Sequence, residues 1–185
     1  TGFRRVLFRS DSPQAFADYA AECAKRGFHG FKVHGWHDGE TRREAATLRA
    51  VRAAVGQSID IMYDPGCELR THLDALKMGH VCDEIGALWY EDPYRDSSRS
   101  LTGSKILREK IRTPLMITEH VRGAEMKAAY AVAGACDMFH IDPEYDLGIT
   151  GAMKCAPLCS RGSRISRISR KSSIFPSRAP ASPGG

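Results

Sequence analysis

An α/β fold with a parallel sheet is predicted by three features of the sequence. Segments of helical period and short apolar segments of strand type alternate through the middle of the chain. Cap and turn residues fall at their joints. The connections are short, and parallel strands need crossover helices, so strict alternation implies a parallel sheet.

The elements follow in order. Residues 12–26 read as a helix with Ser12 as N-cap, Pro13 at the first helical position and Gly27 as its stop. The strand GFKVH ends at His34, and residues 40–55 form an amphipathic helix closed by Gly56. IDIMYD is a strand ending at Asp64, followed by a helix over 68–80. ALWYED ends at Asp92 and precedes a helix over 101–112. LMITE ends at Glu119, and the helix 124–133 stops at Gly134. MFHID ends at Asp142, and a last helix covers 149–159. An open doubly wound sheet and a barrel both fit five strands and six helices. Periodicity alone does not choose between them.

At 185 residues the chain suits one domain with a real core. It is shorter than a complete (β/α)₈ barrel of about 250 residues. The net charge of +5 belongs to the two ends. All 22 acidic residues lie between Asp11 and Asp146, leaving 18 basic residues and a net charge of −4 over 11–159. Residues 1–10 are Arg-rich and acid-free, and read as a non-native stretch. Residues 160–185 hold eight Ser, five Arg, one Lys and no acid, and read as a disordered or frameshifted tail. Six cysteines form no CxxC pair and no zinc spacing, which points to a reducing, cytoplasmic compartment. No apolar run has the length of a membrane span, and neither membrane nor nucleic acid is an expected partner.

The chemistry lies at the expected strand ends. Asp64, Glu91, Glu119 and Asp142 are spaced 27, 28 and 23 residues apart. That spacing approximates one βα unit, of about 30 residues, and places each carboxylate at the carboxyl end of a strand, where active sites of such folds gather. Converging carboxylates repel, and a hard cation such as Mg²⁺ or Mn²⁺ resolves the conflict. Lys32 and His34 alternate on one strand and so share a face. A buried Lys shifts its pKa readily and His titrates near neutrality, so either can serve as a base.

Lys-x-His on one strand, then Asp, Glu and Glu on the next three, then an Asp before Gly-Ile-Thr, resembles the mandelate racemase-like branch of the enolase superfamily. WYEDP (89–93), ITEH (117–120) and HIDPEYDLGITGAMKCA (140–156) carry the local likeness, which covers about 11–159. The resemblance implies a partial (β/α)₈ TIM-type barrel with parallel strands, incomplete at both ends. It implies Asp64, Glu91 and Glu119 as ligands to Mg²⁺, and catalytic roles for Lys32, His34 and Asp142. His34 stands where the family often has a second Lys, and Asp142 where the family has an Asp that orients a His from the next strand. Residues 160–185 contain no such His. Leu147 replaces the first of two usual glycines, and Gly148 is kept. The implied reaction is abstraction of a proton α to a carboxylate in a hydroxy-carboxylate or sugar acid, with Mg²⁺ stabilising the charge that develops. An acid sugar dehydratase is the first expectation and a racemase the second, in a homo-oligomeric parent. The chain by itself, without the capping domain and last strands of that family, is expected to be inactive. Two other readings are a Mg²⁺-dependent phosphate-handling domain with Asp64 as phosphoacceptor, and a basic-tailed RNA-binding protein. The first leaves Glu91, Glu119 and Asp142 idle and lacks a Gly-rich phosphate loop. The second has one aromatic residue, Phe175, in its tail.

Overall fold

The computed structural model describes residues 12–95 and 99–160. The expectations for residues 1–10 and for the tail beyond Ser160 lie outside the described residues. The elements are α1 (Pro13–Lys25), β1 (Gly30–His34), α2 (Thr41–Val55), β2 (Asp60–Asp64), α3 (His72–Ile85), β3 (Trp89–Glu91), α4 (Leu101–Lys110), β4 (Leu115–Ile117), α5 (Ala124–Ala133), β5 (Met138–Phe139) and α6 (Gly148–Cys155). A 3₁₀ turn, Ala156–Ser160, follows.

The strands pair in parallel and in sequence order, β1-β2-β3-β4-β5. That order decides between the two architectures left open by periodicity. A doubly wound sheet reverses its strand order at a switch point. Consecutive right-handed βα units in sequence order instead bring every helix to the same side, as in a barrel wall. The chain is therefore an arc of a (β/α)₈ barrel. Its edges among the described residues are β1 and β5.

The two faces of the sheet differ. Val33, Ile61, Tyr63, Tyr90, Leu115, Ile117 and Phe139 are buried with Leu48, Val51, Met78, Cys82 and Leu107 in the main core. Tyr63 and Tyr90 stack there at 5.5 Å. The alternate residues Lys32, Met62, Trp89, Met116 and Met138 are only half-buried. Register aligns them across the sheet: Lys32 opposite Met62, Met62 opposite Trp89, Met116 opposite Met138. This second face is the barrel interior.

Local signals account for most boundaries. Ser12 caps α1 by accepting from the Ala15 N–H. Thr71 caps α3. Gly86 and Gly134 close α3 and α5 in the left-handed conformation. Several expected boundaries shift, among them the end of β3, at Glu91 and not Asp92; three shifts have a direct local cause. The helix expected over 68–80 starts at His72, because Leu69 bridges to Tyr94 beyond β3 and Thr71 is the cap. Strand β4 stops at Ile117 because Thr118 takes φ +90°. Strand β5 stops at Phe139, and residues from Asp142 turn tightly into α6. Glu119 and Asp142 thus lie in loops just past their strands, not on the last strand residue.

Candidate active site at the carboxyl ends of the strands

Lys32 and His34 point into the barrel face from β1, as alternation requires. The Lys32 ammonium lies between two carboxylates from the next two strands. It is 2.8 Å from Asp64 Oδ2 and 2.7 Å from Glu91 Oε1. Burial alone would lower its pKa, but the two carboxylates outweigh burial and raise it. Lys32 is thus held as a cation. His34 lies beside it, with Nε2 3.5 Å from Asp64 Oδ2. Its ring also lies against that of His37, tilted at 37° with centroids 4.6 Å apart.

Asp64 closes β2 and is almost fully buried. It also accepts the Gly66 N–H at 2.8 Å. Glycine is required at 66: φ is +67°, and a Cβ would sit 2.8 Å from the His37 ring and 3.3 Å from that of His34. Glu91 closes β3 and is wholly buried. Its second oxygen accepts from the Trp89 indole at 3.0 Å. Burial pushes the Glu91 carboxyl up, but His140 and Lys32 more than reverse that and hold it at about 2.

Glu119 reaches the site through an unusual backbone. Thr118 is a buried β-branched residue at φ +90°, a conformation of order 1–3 kcal/mol in cost. The buried carboxylate of Asp92 accepts both the Thr118 and the Glu119 N–H, at 3.2 and 3.3 Å. Burial raises the Asp92 carboxyl to about 7 despite those bonds. Glu119 is thereby turned toward Glu91.

His140, two residues past Met138 on the same face, completes the cluster. Its Nδ1 lies 3.1 Å from Glu91 Oε1 and 3.9 Å from Glu119 Oε2. Burial lowers its pKa, but contact with Glu91 and the charge of Glu119 raise it further. Glu91, Glu119 and His140 each offer a donor atom within 4.8 Å of one another. The structure therefore brings Glu91 and Glu119 together as the sequence implies, and joins Asp64 to Glu91 through Lys32. Asp142 stands just outside this group, where its carboxylate accepts the Glu144 N–H at 2.8 Å.

The donors suit a divalent cation. They are two carboxylate oxygens, that of Glu91 buried and that of Glu119 half-buried, with one half-buried imidazole nitrogen. Glu91, Glu119 and His140 are the residues whose donor atoms converge for such an ion, with Asp64 joined to Glu91 through Lys32.

The sequence names Asp92 only as a strand end and gives no site role to His140, Asp92 or the buried Glu44. His140 was findable, because the strand MFHID puts Met138, His140 and Asp142 on one side by alternation. Glu44 was not, since it sits in the first turn of an ordinary amphipathic helix. There it accepts the Trp36 N–H at 2.7 Å, and a Cβ at Gly35 would lie 2.5 Å from its carboxylate. Burial raises its carboxyl to about 7.

Comparison with known proteins agrees with this fold. The family model for enolase C-terminal domain-like proteins matches residues 15–163. The D-gluconate/D-galactonate dehydratase of Picrophilus torridus is 24% identical over 153 residues, 79% of this chain and 38% of that protein. The D-gluconate dehydratase of Thermoproteus tenax is 26% identical over 153 residues, 79% of this chain and 30% of that protein. The crystal structure of D-glucarate dehydratase from Agrobacterium tumefaciens, complexed with magnesium, superposes with a TM-score of 0.75 at 29% identity, covering 80% of this chain and 40% of its own. The chain thus spans well under half the length of these relatives. A family match over most of the sequence, on a parallel arc of the same fold, establishes that the chain belongs to the enolase C-terminal domain-like family.

Proposed function

We propose that this chain supplies the metal-binding and base-bearing part of a Mg²⁺-dependent acid sugar dehydratase. The supporting observation is the convergence of Lys32, Asp64, Glu91, Glu119 and His140 on one face at the carboxyl ends of five successive strands. Three relatives with that chemistry in their names, one of them complexed with magnesium, support the substrate class.

Asp64, Glu91 and Glu119 would hold the ion. When bound, it supplies positive charge beside the substrate carboxylate as electron density builds there. Lys32, already cationic between carboxylates, suits a place near the anionic end of the substrate. His34 is the base in this reading. The C–H bond α to the carboxylate breaks, the proton passes to His34 Nε2, and the electron pair moves toward the carboxylate. The β-hydroxyl then departs as water, taking a proton returned by the His34 imidazolium, and leaves an enol, which tautomerises to a 2-keto acid. Asp142 lies beside the site as a second polar group on the β5 side. The same first step with reprotonation at the α-carbon is racemisation. The cysteines described are free thiols, in keeping with a cytoplasmic enzyme.

The test is solvent deuterium exchange at the α-carbon of gluconate, galactonate and glucarate by the intact parent enzyme. His34→Ala should reduce exchange about 10²–10⁴-fold. Exchange that survives both Lys32→Ala and His34→Ala removes the base from β1. Exchange that persists in excess EDTA ends the metal-assisted reading.

A further inference from the structure

Behind the site, on the helix side of β5, lies an ion pair with no role in the proposed reaction. Lys127 of α5 and Asp146 of the turn before α6 are both wholly shielded from water. Their Nζ and Oδ2 are 2.6 Å apart. Removing two charges from water costs several kcal/mol per ion, and a pair of apolar side chains would usually do as well for stability. The remaining bonds of the pair indicate what it is for. Lys127 Nζ also donates to the His140 carbonyl, at 2.8 Å. Asp146 Oδ2 also accepts the Asp142 N–H, at 3.0 Å. The Thr118 hydroxyl donates to the same His140 carbonyl at 3.2 Å, and the Cys155 thiol approaches Asp146 Oδ1 at 3.5 Å.

The pair therefore grips segment 140–142 at both ends. The His140 N–H still donates to the Ile117 carbonyl of β4 at 2.9 Å, and beyond it the segment leaves the β ladder. It carries His140, beside Glu91 and Glu119, and Asp142. We infer that Lys127 and Asp146 are positioning residues, a buried clamp that fixes the His140–Asp142 segment against the candidate metal site. The inference rests on the metal reading above for its consequence, but not for its geometry. A second ion pair serves as its control. Arg108 and Asp137 pair at 2.7 Å at the opposite end of the same strand, where Asp137 also accepts the Leu115 N–H.

The experiment uses the full chain, with Mn²⁺ as probe followed by electron paramagnetic resonance, and amide hydrogen exchange over residues 140–146. Lys127→Met and Asp146→Asn should each weaken Mn²⁺ binding by about 10-fold, the range for residues that orient ligands. Both should also speed exchange of the Asp142 N–H. Arg108→Met should leave Mn²⁺ affinity unchanged in the folded protein. If either single variant fails to fold, the double variant Lys127→Met with Asp146→Leu removes both charges together, and the same weakening is expected. Wild-type Mn²⁺ affinity in the folded clamp variants overturns the inference, as does an equal loss in Arg108→Met. A wild-type chain that binds no Mn²⁺ defeats the metal reading instead. The clamp is then judged by exchange alone: faster exchange at Asp142 supports it and unchanged exchange overturns it.

Discussion

The two ends of this sheet are both rich in charge, yet they use it differently. At the amino ends, charged groups are satisfied by closing the chain on itself. Asp83 accepts from the Arg112 and Thr113 N–H groups and the Thr113 hydroxyl. Arg52 donates to the carbonyls of Ile85, Gly56 and Ile59. Asp137 joins Arg108 to the first residue of β4. At the carboxyl ends, Asp64, Glu91, Asp92 and Glu119 crowd around one lysine and His34 and His140. Backbone closure accounts for the first set. The second gathers the carboxylates of Asp64, Glu91 and Glu119 about Lys32 and His140, a set of oxygen donors that a bound cation would suit. In barrel folds this is the division between a stabilising face and a chemical one.

The largest expected effect breaks the amino end alone. Asp137→Ala removes the carboxylate partner of the half-buried Arg108 guanidinium, leaving it the Gly134 carbonyl, and strands the Leu115 N–H, and should cost about 3–5 kcal/mol in urea denaturation. Divalent-cation affinity of the remaining folded protein should not change. A parallel loss of affinity would mean that the two ends are not separable.

Next is a pH effect from burial that the neighbouring Arg43 charge only partly offsets. The Glu44 carboxyl has a folded pKa of about 7, above its unfolded value. The folded state therefore binds the proton more tightly. Its contribution is fully present below about pH 4 and is lost as pH rises to about 7, on the order of 3 kcal/mol in all. The urea midpoint should fall between pH 5 and pH 8, and Glu44→Gln should flatten that slope while keeping an acceptor for the Trp36 N–H. An unchanged slope in the variant would assign the effect elsewhere. Glu91 acts with the opposite sign. Its carboxyl is held at about 2, so its contribution is present above about pH 4.3 and is lost as pH falls toward 2.

Glu91→Gln tests the chemical end by itself. Removing a ligand should weaken Mn²⁺ or Mg²⁺ binding by at least about 100-fold, more than the loss of a group that only orients one. Isothermal titration calorimetry on the folded variant reads this directly. The smallest effect sharpens the contrast from the other side. Thr71 lies near the chemical end but only caps α3, where it accepts the Asp74 N–H and donates to the Asp74 carboxylate. Thr71→Ala should cost about 1 kcal/mol of stability and leave cation affinity alone.

The chemical end was more legible in the sequence than the stabilising one. Asp64 and Glu91 close their strands and Lys32 lies two residues before the end of β1, where spacing and alternation place them. Glu119 was legible as a residue type but not in its path, because a β-branched residue at positive φ carries no sequence signal before Asp92 is known to lie beside it. The helix reading of 124–133 gives Lys127 no distinction from a solvated lysine, and Asp146 reads as a turn residue. Only the tertiary approach of α5 to the loop before α6 makes them a buried pair. Helix α3 was misplaced by four residues at its start because the bridge of Leu69 to Tyr94 is a long-range contact. The choice between barrel and open sheet likewise needed strand order, which periodicity does not contain.

The central claim is that Glu91 and Glu119, with Asp64 and His140 at their side, form one divalent-cation site. Mn²⁺ titration of the folded chain, followed by electron paramagnetic resonance with Mg²⁺ as competitor, tests it most directly. The account predicts a single class of bound Mn²⁺, displaced by Mg²⁺ and lost in Glu119→Gln. A folded chain that binds no Mn²⁺, or binding that survives Glu119→Gln undiminished, would contradict it.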